Sequence, residues 1–273
     1  MIARGPSPDA VGFLLDLDPD LGSWLSSKEW EQARRATPVN LVRVPRGAWM
    51  LSGHPVDRDD IIGLIVTEGA LGREIALSDH HMLELLCRGD VLLLPEPMSD
   101  GLRLGGDVKL TGLTEVRLIV LCESFIRAAA QWPSLLTNLH RRLEAQRERL
   151  AIQGLTAHLP RADERVLLTL WLLADSCGRV TPDGTVLPLS LTHDVLARLA
   201  AARRPTITLA LRSLETADCI RRRPDGHLVL TRSAERKVNA ITKTSDSGPT
   251  VGQSLRLEKL LNQPTADRPV LAR

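Results

Sequence analysis

Tyrosine is absent from this sequence, phenylalanine occurs twice, and aromatic residues make up only 3% of the 273 positions. The cores must therefore rest on Leu, Val, Ile and Ala, and a row of aromatic platforms for single-stranded nucleic acid is not on offer. No uncharged apolar run approaches the ~18–20 residues that cross a bilayer, so no membrane partner is expected. Met1 to Pro8 carries one Arg and no apolar stretch, which reads as no secretory signal and a cytoplasmic protein. The four cysteines, Cys87, Cys122, Cys177 and Cys219, lie 35, 55 and 42 positions apart, a spacing that suits neither a zinc knuckle nor a clustered iron–sulfur site. Reduced thiols of an intracellular chain are the simpler reading. His80 and His81 are adjacent, so on a strand they point to opposite faces and cannot chelate one ion. His54 and His140 have no partner at ligand spacing. Nucleophile elbows, phosphate-cradling Gly loops and metal-ligand boxes are missing too. Asp59-Asp60 and Asp18/Asp20 read as solvated or capping carboxylates. An enzyme is not expected, and no metal or cofactor is assigned.

What is present is an ordinary globular composition, 43% apolar and 25% charged, with a net charge of +2. The length suits about two domains. The small net charge hides an asymmetry. Residues 1–130 hold 13 Lys/Arg against 19 Asp/Glu, whereas residues 190–237 hold 10 against 5. An acidic front and a basic back point to a polyanion meeting only the back.

Five segments are predicted. Residues 1–38 form a helical lead carrying Trp24 and Trp30, with Ser26 or Ser27 as N-cap of a helix through Lys28-Glu29-Trp30-Glu31. Residues 39–130 alternate short β-rich runs with turns: Val39–Val44, Ile61–Thr67, Met82–Leu86, Val91–Leu94, Val108–Leu113 and Val116–Cys122, a small antiparallel barrel or roll. Residues 131–159 are a long helix opened by Pro133. In it Leu136, Leu139, Leu143, Gln146, Leu150 and Gln153 recur at spacings of three and four, a seam that predicts pairing with a second copy of the chain. Residues 160–238 read as helix, hairpin at Asp183-Gly184, two helices joined by a tight turn, and second hairpin at Asp225-Gly226. The first helix of this unit closes at Gly178, read as a C-cap. Residues 239–273 form a polar tail, loosely ordered except for a short helix at 254–261. The fold class is α+β: an antiparallel β-roll, a long dimerisation helix and a winged helix-turn-helix.

The stretch Leu191 to Leu214 carries the functional signal. Leu196, Leu199, Ile207, Leu211 and Leu214 form the buried faces of its two helices. Arg203, Arg204, Thr206, Thr208 and Arg212 lie on the open face of the second, near an N-terminus whose dipole and side chains can reach phosphates and base edges. Arg suits bidentate contact with guanine, and Thr suits phosphate. Arg221, Arg222 and Arg223 fall on the wing beside the DNA backbone. This region resembles the helix-turn-helix of the cyclic-AMP receptor/fumarate–nitrate regulator (Crp/Fnr) family, and the order roll, long helix, winged unit resembles that family from Val39 to Leu230. The resemblance implies a homodimeric transcription regulator that binds a near-palindromic duplex site, with RNA polymerase as a further partner. By that likeness Arg204 takes the place of a base-reading Arg, Thr206 a phosphate contact, His193 and Arg212 flanking phosphate contacts, and Thr192 the cap of the first helix. Pro205 and Leu209 stand where the best-known members have Glu and Arg, so the operator cannot be transferred. Ala201 stands at a turn position usually held by Gly, which is compatible with a negative φ.

The same resemblance implies a cyclic-nucleotide-type roll, but the pocket motif departs. The family's Gly-Glu pair falls on Leu93-Leu94, Arg103 is followed by Leu104 rather than Ser or Thr, and the adenine-reading hydroxyls fall near Leu150-Ala151. A cyclic phosphate without its Arg partner is strongly disfavoured, so cyclic AMP is not the expected effector, and no effector is assigned. Two other readings remain open: a haem or redox sensor acting through Cys87 or Cys122, and an interaction scaffold whose winged domain binds protein.

Overall fold

The computed structural model describes residues 8–49, 60–77, 80–93 and 107–242. His54, Asp59, Leu94, Arg103-Leu104 and the expected helix at 254–261 lie outside them. The chain runs β1 (Pro8–Phe13), α1 (Leu14–Leu17), a 3₁₀ turn (Pro19–Gly22), α2 (Ser27–Ala36), β2 (Pro38–Val44), β3 (Gly47–Trp49), β4 (Ile61–Glu68), β5 (Leu71–Leu77), β6 (His80–Leu86), β7 (Val91–Leu93), β8 (Asp107–Gly112), β9 (Val116–Cys122), α3 (Glu123–Ala129) and α4 (Pro133–Thr156). It continues with α5 (Ala162–Cys177), β10 (Arg179–Thr181), β11 (Gly184–Leu187), α6 (His193–Leu199), α7 (Arg204–Thr216), β12 (Ile220–Arg222), β13 (Leu228–Leu230) and α8 (Arg232–Thr242).

The first nine strands make two antiparallel sheets, ordered β1-β2-β9-β4-β7 and β3-β8-β5-β6. Between them Val44, Leu64, Val66, Leu118 and Val120 of one sheet meet Trp49, Leu71, Leu86 and Leu110 of the other. The opposite face of the five-stranded sheet is covered as well. There Ile65, Ile119 and Leu121 pack on Leu14, Leu15 and Leu21 of the lead and on Phe125 and Leu135 of α3 and α4. Strand β4 is thus buried on both sides, which is why it reads as a continuous apolar run rather than an alternation.

The lead differs from expectation at its start. Residues 8–13 are an edge strand on β2, with Ala10 opposite Leu41 and Gly12 opposite Val39, and only the rest is helical. Ser26 is the cap: its hydroxyl accepts from the Glu29 amide while the Glu29 carboxylate accepts from the Ser26 amide at 2.9 Å, a reciprocal capping box. Strands β3 and β5 are additions to the predicted set.

Helix α4 begins at Pro133 as expected and ends at Thr156, short of Pro160. Leu135 and Asn138 are buried against the roll and lead, the Asn138 amide donating to the Leu21 carbonyl at 2.8 Å. Leu136, Leu139 and Leu143 are half-buried on the same cluster. Gln146 and Gln153 are engaged within the chain. The Gln146 side chain accepts from the Val91 amide at 3.1 Å and donates to Glu84 at 2.8 Å, and Gln153 donates to the Leu83 and Leu199 carbonyls at 2.9 and 3.2 Å.

The C-terminal unit is a four-stranded sheet, ordered β10-β11-β13-β12, with α5, α6, α7 and α8 around it. Its core extends into the roll: Leu83, Leu85 and Cys87 belong to the same cluster as Leu170, Leu199 and Leu211. Gly178 is the C-cap of α5 as expected, its amide donating to the Ala174 carbonyl at 2.9 Å; at φ −71 its backbone is ordinary, and a Cβ there would stand 2.3 Å from the Ala174 carbonyl oxygen. Two expectations need correction. Ala201 has φ +46, in the left-handed region rather than at negative φ. And the chain remains helical past position 239, since α8 runs to Thr242 with Ala234 and Val238 buried.

Candidate nucleic-acid interface

Helices α6 and α7 are joined by four residues whose geometry is fixed at both ends. The Thr192 hydroxyl accepts from the Val195 amide at 3.2 Å, starting α6. At the other end the Ala202 amide returns to the Ala197 carbonyl at 2.9 Å across the left-handed Ala201, a Schellman closure. Leu196, Leu199, Ile207, Leu211 and Leu214 are buried, as the spacing predicts.

The opposite face of α7 is open. Arg203, Arg204, Pro205, Leu209 and Arg212 are exposed and Thr206 is half-buried beside them. Leu209 is 67% exposed, an unusual outlay of apolar surface in the middle of a polar face. No side chain caps α7, and Pro205 in its first turn removes one donor, so the Arg204 and Thr206 amides stand uncapped at the positive end of the helix dipole. Arg204 lies 3.6 Å from Asp194 with both side chains solvated, a weak pair. Thr208 and His193 face each other: the Thr208 hydroxyl is 3.1 Å from His193 Nδ1, tying α7 to α6.

The three wing arginines do not form one strip. Successive strand residues alternate, with Arg221 opposite Val229 and Arg222 opposite Leu228. Arg221 pairs with Asp218 at 2.9 Å and lines a groove of about 610 Å³ with Thr181, Asp183, Arg232 and Arg236. That groove lies at the end of the sheet holding the β10–β11 turn, away from the turn at 223–227. Arg222 leans toward Glu215 of α7 at 3.9 Å, and Arg223 sits in the wing turn 3.3 Å from Asp225. The His227 amide donates to Asp225 at 3.0 Å and holds that carboxyl below its usual range.

The back of this unit is held to the roll by contacts that sequence reasoning did not find. Arg198 of α6 reaches Glu74 of β5 at 2.9 Å, and the same carboxylate meets His81 of β6 at 3.1 Å. Glu84, 4% exposed, is paired with Arg73 at 2.7 Å beneath Gln146. These partners are far apart in sequence, and no local signal marks them.

Residues 164–235 match the family model of the Crp-like helix-turn-helix domain, which contains every residue of this face. The surrounding fold is shared with a mutant of CooA from Carboxydothermus hydrogenoformans, at TM-score 0.56 and 16% identity over 82% of this chain and 94% of that one. The chain carries a Crp-like helix-turn-helix domain. Two further structures share the architecture of this chain. The cyclic nucleotide-binding domain containing protein from Listeria monocytogenes EGD-e superposes at TM-score 0.60 with 17% identity, covering 80% of this chain and 98% of that one. FixK2 from Bradyrhizobium japonicum does so at 0.54 with 16% identity, covering 76% and 98%. No curated protein matches the chain in sequence. The helix-turn-helix at 164–235 is thus Crp-like, the roll and long helix share the fold of these structures, and no described helix is long and apolar enough to cross a membrane.

Proposed function

We propose that this Crp/Fnr-type regulator binds a near-palindromic duplex site as a homodimer in the cytoplasm, without cyclic AMP. One observation carries the reading: Arg203, Arg204, Thr206, Leu209 and Arg212 share the open face of α7 at an uncapped N-terminus, while the other face of the helix is core. Two copies of α7 one helical turn apart would enter successive major grooves, Arg204 reading a base edge and Arg203, Thr206 and Arg212 holding phosphates. Thr192, His193 and Thr208 set the attitude of α7 and flank the backbone. Arg222 and Arg223 lie along the wing; Arg221, committed to the far groove, contributes least. Contact with RNA polymerase would then follow from the bound position.

Self-association is assigned to α4. Leu136, Leu139, Leu143 and Leu150 are half-buried and Leu155 is 69% exposed, so apolar surface remains along the helix after it has docked on its own roll. Gln146 and Gln153 contribute by holding α4 in place. Against cyclic AMP stands the departure of the pocket motif, where Leu93-Leu94 stand in place of Gly-Glu and no Arg-Ser or Arg-Thr follows.

Site selection from random duplex DNA with purified protein and no effector tests this. The expected result is a two-fold symmetric consensus bound at two chains per site, with log Kd rising against log salt by about 5–9 for roughly 6–10 phosphate contacts. A monomer on DNA, or salt-insensitive association without sequence enrichment, would overturn it. Adding cyclic AMP should leave the consensus and affinity unchanged.

A further inference from the structure

Helix α6 meets the roll at two neighbouring residues. The Arg198 guanidinium donates to the Glu74 carboxylate of β5 at 2.9 Å, and the carbonyl of Leu199, where α6 ends, accepts from the Gln153 side chain at 3.2 Å. The same Gln153 nitrogen donates to the Leu83 carbonyl of β6 at 2.9 Å, so one amide of α4 bridges strand and helix. Glu74 is 9% exposed, and its other oxygen lies 3.1 Å from His81 Nδ1. Around these contacts the junction is apolar, with Leu83 and Leu85 in one core with Leu196 and Leu199. Apolar burial is non-directional and holds the two units close without selecting an angle between them. The ion pair and the Gln153 bridge are directional and select one. An angle that withdraws Arg198 leaves a deeply buried carboxylate with His81 alone, which disfavours it strongly.

We propose that Glu74 and Arg198 are a positioning pair that sets the half-site spacing this protein accepts on DNA. The path from the pair to the reading face is short. Arg198 lies just before Ala201, the left-handed residue that turns the chain into α7. The bond from Ala202 to Ala197, together with Thr208 against His193, holds α7 to α6. The angle of α6 on the roll is therefore the angle of α7 on the roll. With two rolls joined through α4, that angle fixes the separation and twist of the two copies of α7. Moving two half-sites by one base pair turns one against the other by about 34–36°, and a rigidly held helix cannot follow. Neither residue acts by touching DNA: Arg198 is committed to a carboxylate on the roll, and Glu74 carries the same sign of charge as the backbone. The spacing effect rests on the dimeric DNA-binding reading; the joint between roll and α6 does not.

The experiment measures full-length protein on the selected duplex, on duplexes with the half-sites moved one base pair either way, and on random duplex. Wild type should lose about tenfold or more on either shifted duplex, the worth of at least one good base contact. Glu74→Ala, Arg198→Ala and the double variant should lose about threefold or less on the same shift, alike because all three lack one contact, and should match wild type on random duplex. Arg198 reaches Glu74 through a single nitrogen, so Arg198→Lys should keep the wild-type spacing preference. A wild-type preference in Glu74→Ala, or a loss on random duplex in Arg198→Ala that Glu74→Ala lacks, would overturn the pair. Hydrogen exchange of the same chains without DNA separates this from a failure of the DNA-binding reading. The α6 amides should exchange about fivefold faster or more in Glu74→Ala and at wild-type rates in Arg198→Lys, with the β9 amides of the roll unchanged in both. Unchanged protection of α6 would overturn the joint itself, and faster exchange with an unchanged spacing preference would overturn the spacing role alone.

Discussion

Replacing Ala201 by Gly should stabilise the protein. Ala201 has φ +46 at the position after the C-cap of α6, held there by the bond from the Ala202 amide to the Ala197 carbonyl. In the left-handed region a Cβ crowds the following carbonyl oxygen, at a cost of about 1–2 kcal/mol for a residue other than Gly. Glycine removes that crowding but gains freedom in the unfolded chain, which takes back about 0.4–1 kcal/mol. The Ala201 side chain is exposed, so no packing is lost with its methyl. The balance is a gain of about 0.5–1 kcal/mol, or roughly 1–4 °C in Tm for a chain of this size. Urea unfolding should show a raised midpoint at unchanged m, the signature of changed stability with the same surface exposed on unfolding. Ala201→Val should move the midpoint the other way, since a β-branched side chain tolerates positive φ least. Asp218, at φ +51 in the equivalent position after α7, should gain less from Gly, because its carboxylate pairs with Arg221 at 2.9 Å. A midpoint for Ala201→Gly equal to or below wild type would refute the assignment of strain to this turn.

Arg204→Ala should weaken binding to the selected site by about 1–3 kcal/mol and relax preference at one base pair, whereas Arg223→Ala should weaken selected and random duplex alike; equal losses for both variants on both duplexes would overturn the division of roles. Leu209, exposed on the reading face, should contact a thymine methyl: replacing thymine by uracil across the selected site should lower wild-type affinity at one position and leave Leu209→Ala indifferent to the change. Gly178→Ala should destabilise the helix-turn-helix domain by about 1–3 kcal/mol in thermal unfolding, because the new Cβ must displace either the Ala174 carbonyl oxygen at 2.3 Å or the Thr185 methyl at 2.6 Å.

The elements legible in the sequence were those whose cause is local. Thr192 with Val195, Pro133 and the apolar spacing from Leu196 to Leu214 each act within a few residues and appear in the structure where the spacing puts them, and the hairpin expected at Asp183-Gly184 turns one residue earlier, at Pro182-Asp183. Helix α8 was legible too, since Ala234, Val238 and Ile241 recur at helical spacing, but the polar composition around them outweighed that signal. Strand β1 was not legible. Residues 8–13 carry a Pro, an Asp and a Gly and no clean alternation, and they are extended because β2 offers an open edge. Strand β5 was hidden by Arg73 and Glu74, charges that look wrong in a strand until Glu84, His81 and Arg198 come beside them.

The site divides along the same line. The reading face of α7 could be proposed from sequence because one helix carries all of it. What stands behind that face could not. Arg198 on Glu74 and Gln153 between the Leu83 and Leu199 carbonyls each join residues far apart in sequence. Together they fasten α6 to β5 and, through Gln153 of α4, to β6, leaving the arginine-bearing face of α7 open. A change in the roll that moves β6 therefore meets the helix-turn-helix first at α6, whose Thr192, His193 and Ala201 turn set the angle of α7. The contacts that fix where Arg204 points are in this way continuous with the contacts that hold the roll, and the acidic front reaches the basic back through Glu74 and Arg198 rather than through long-range charge.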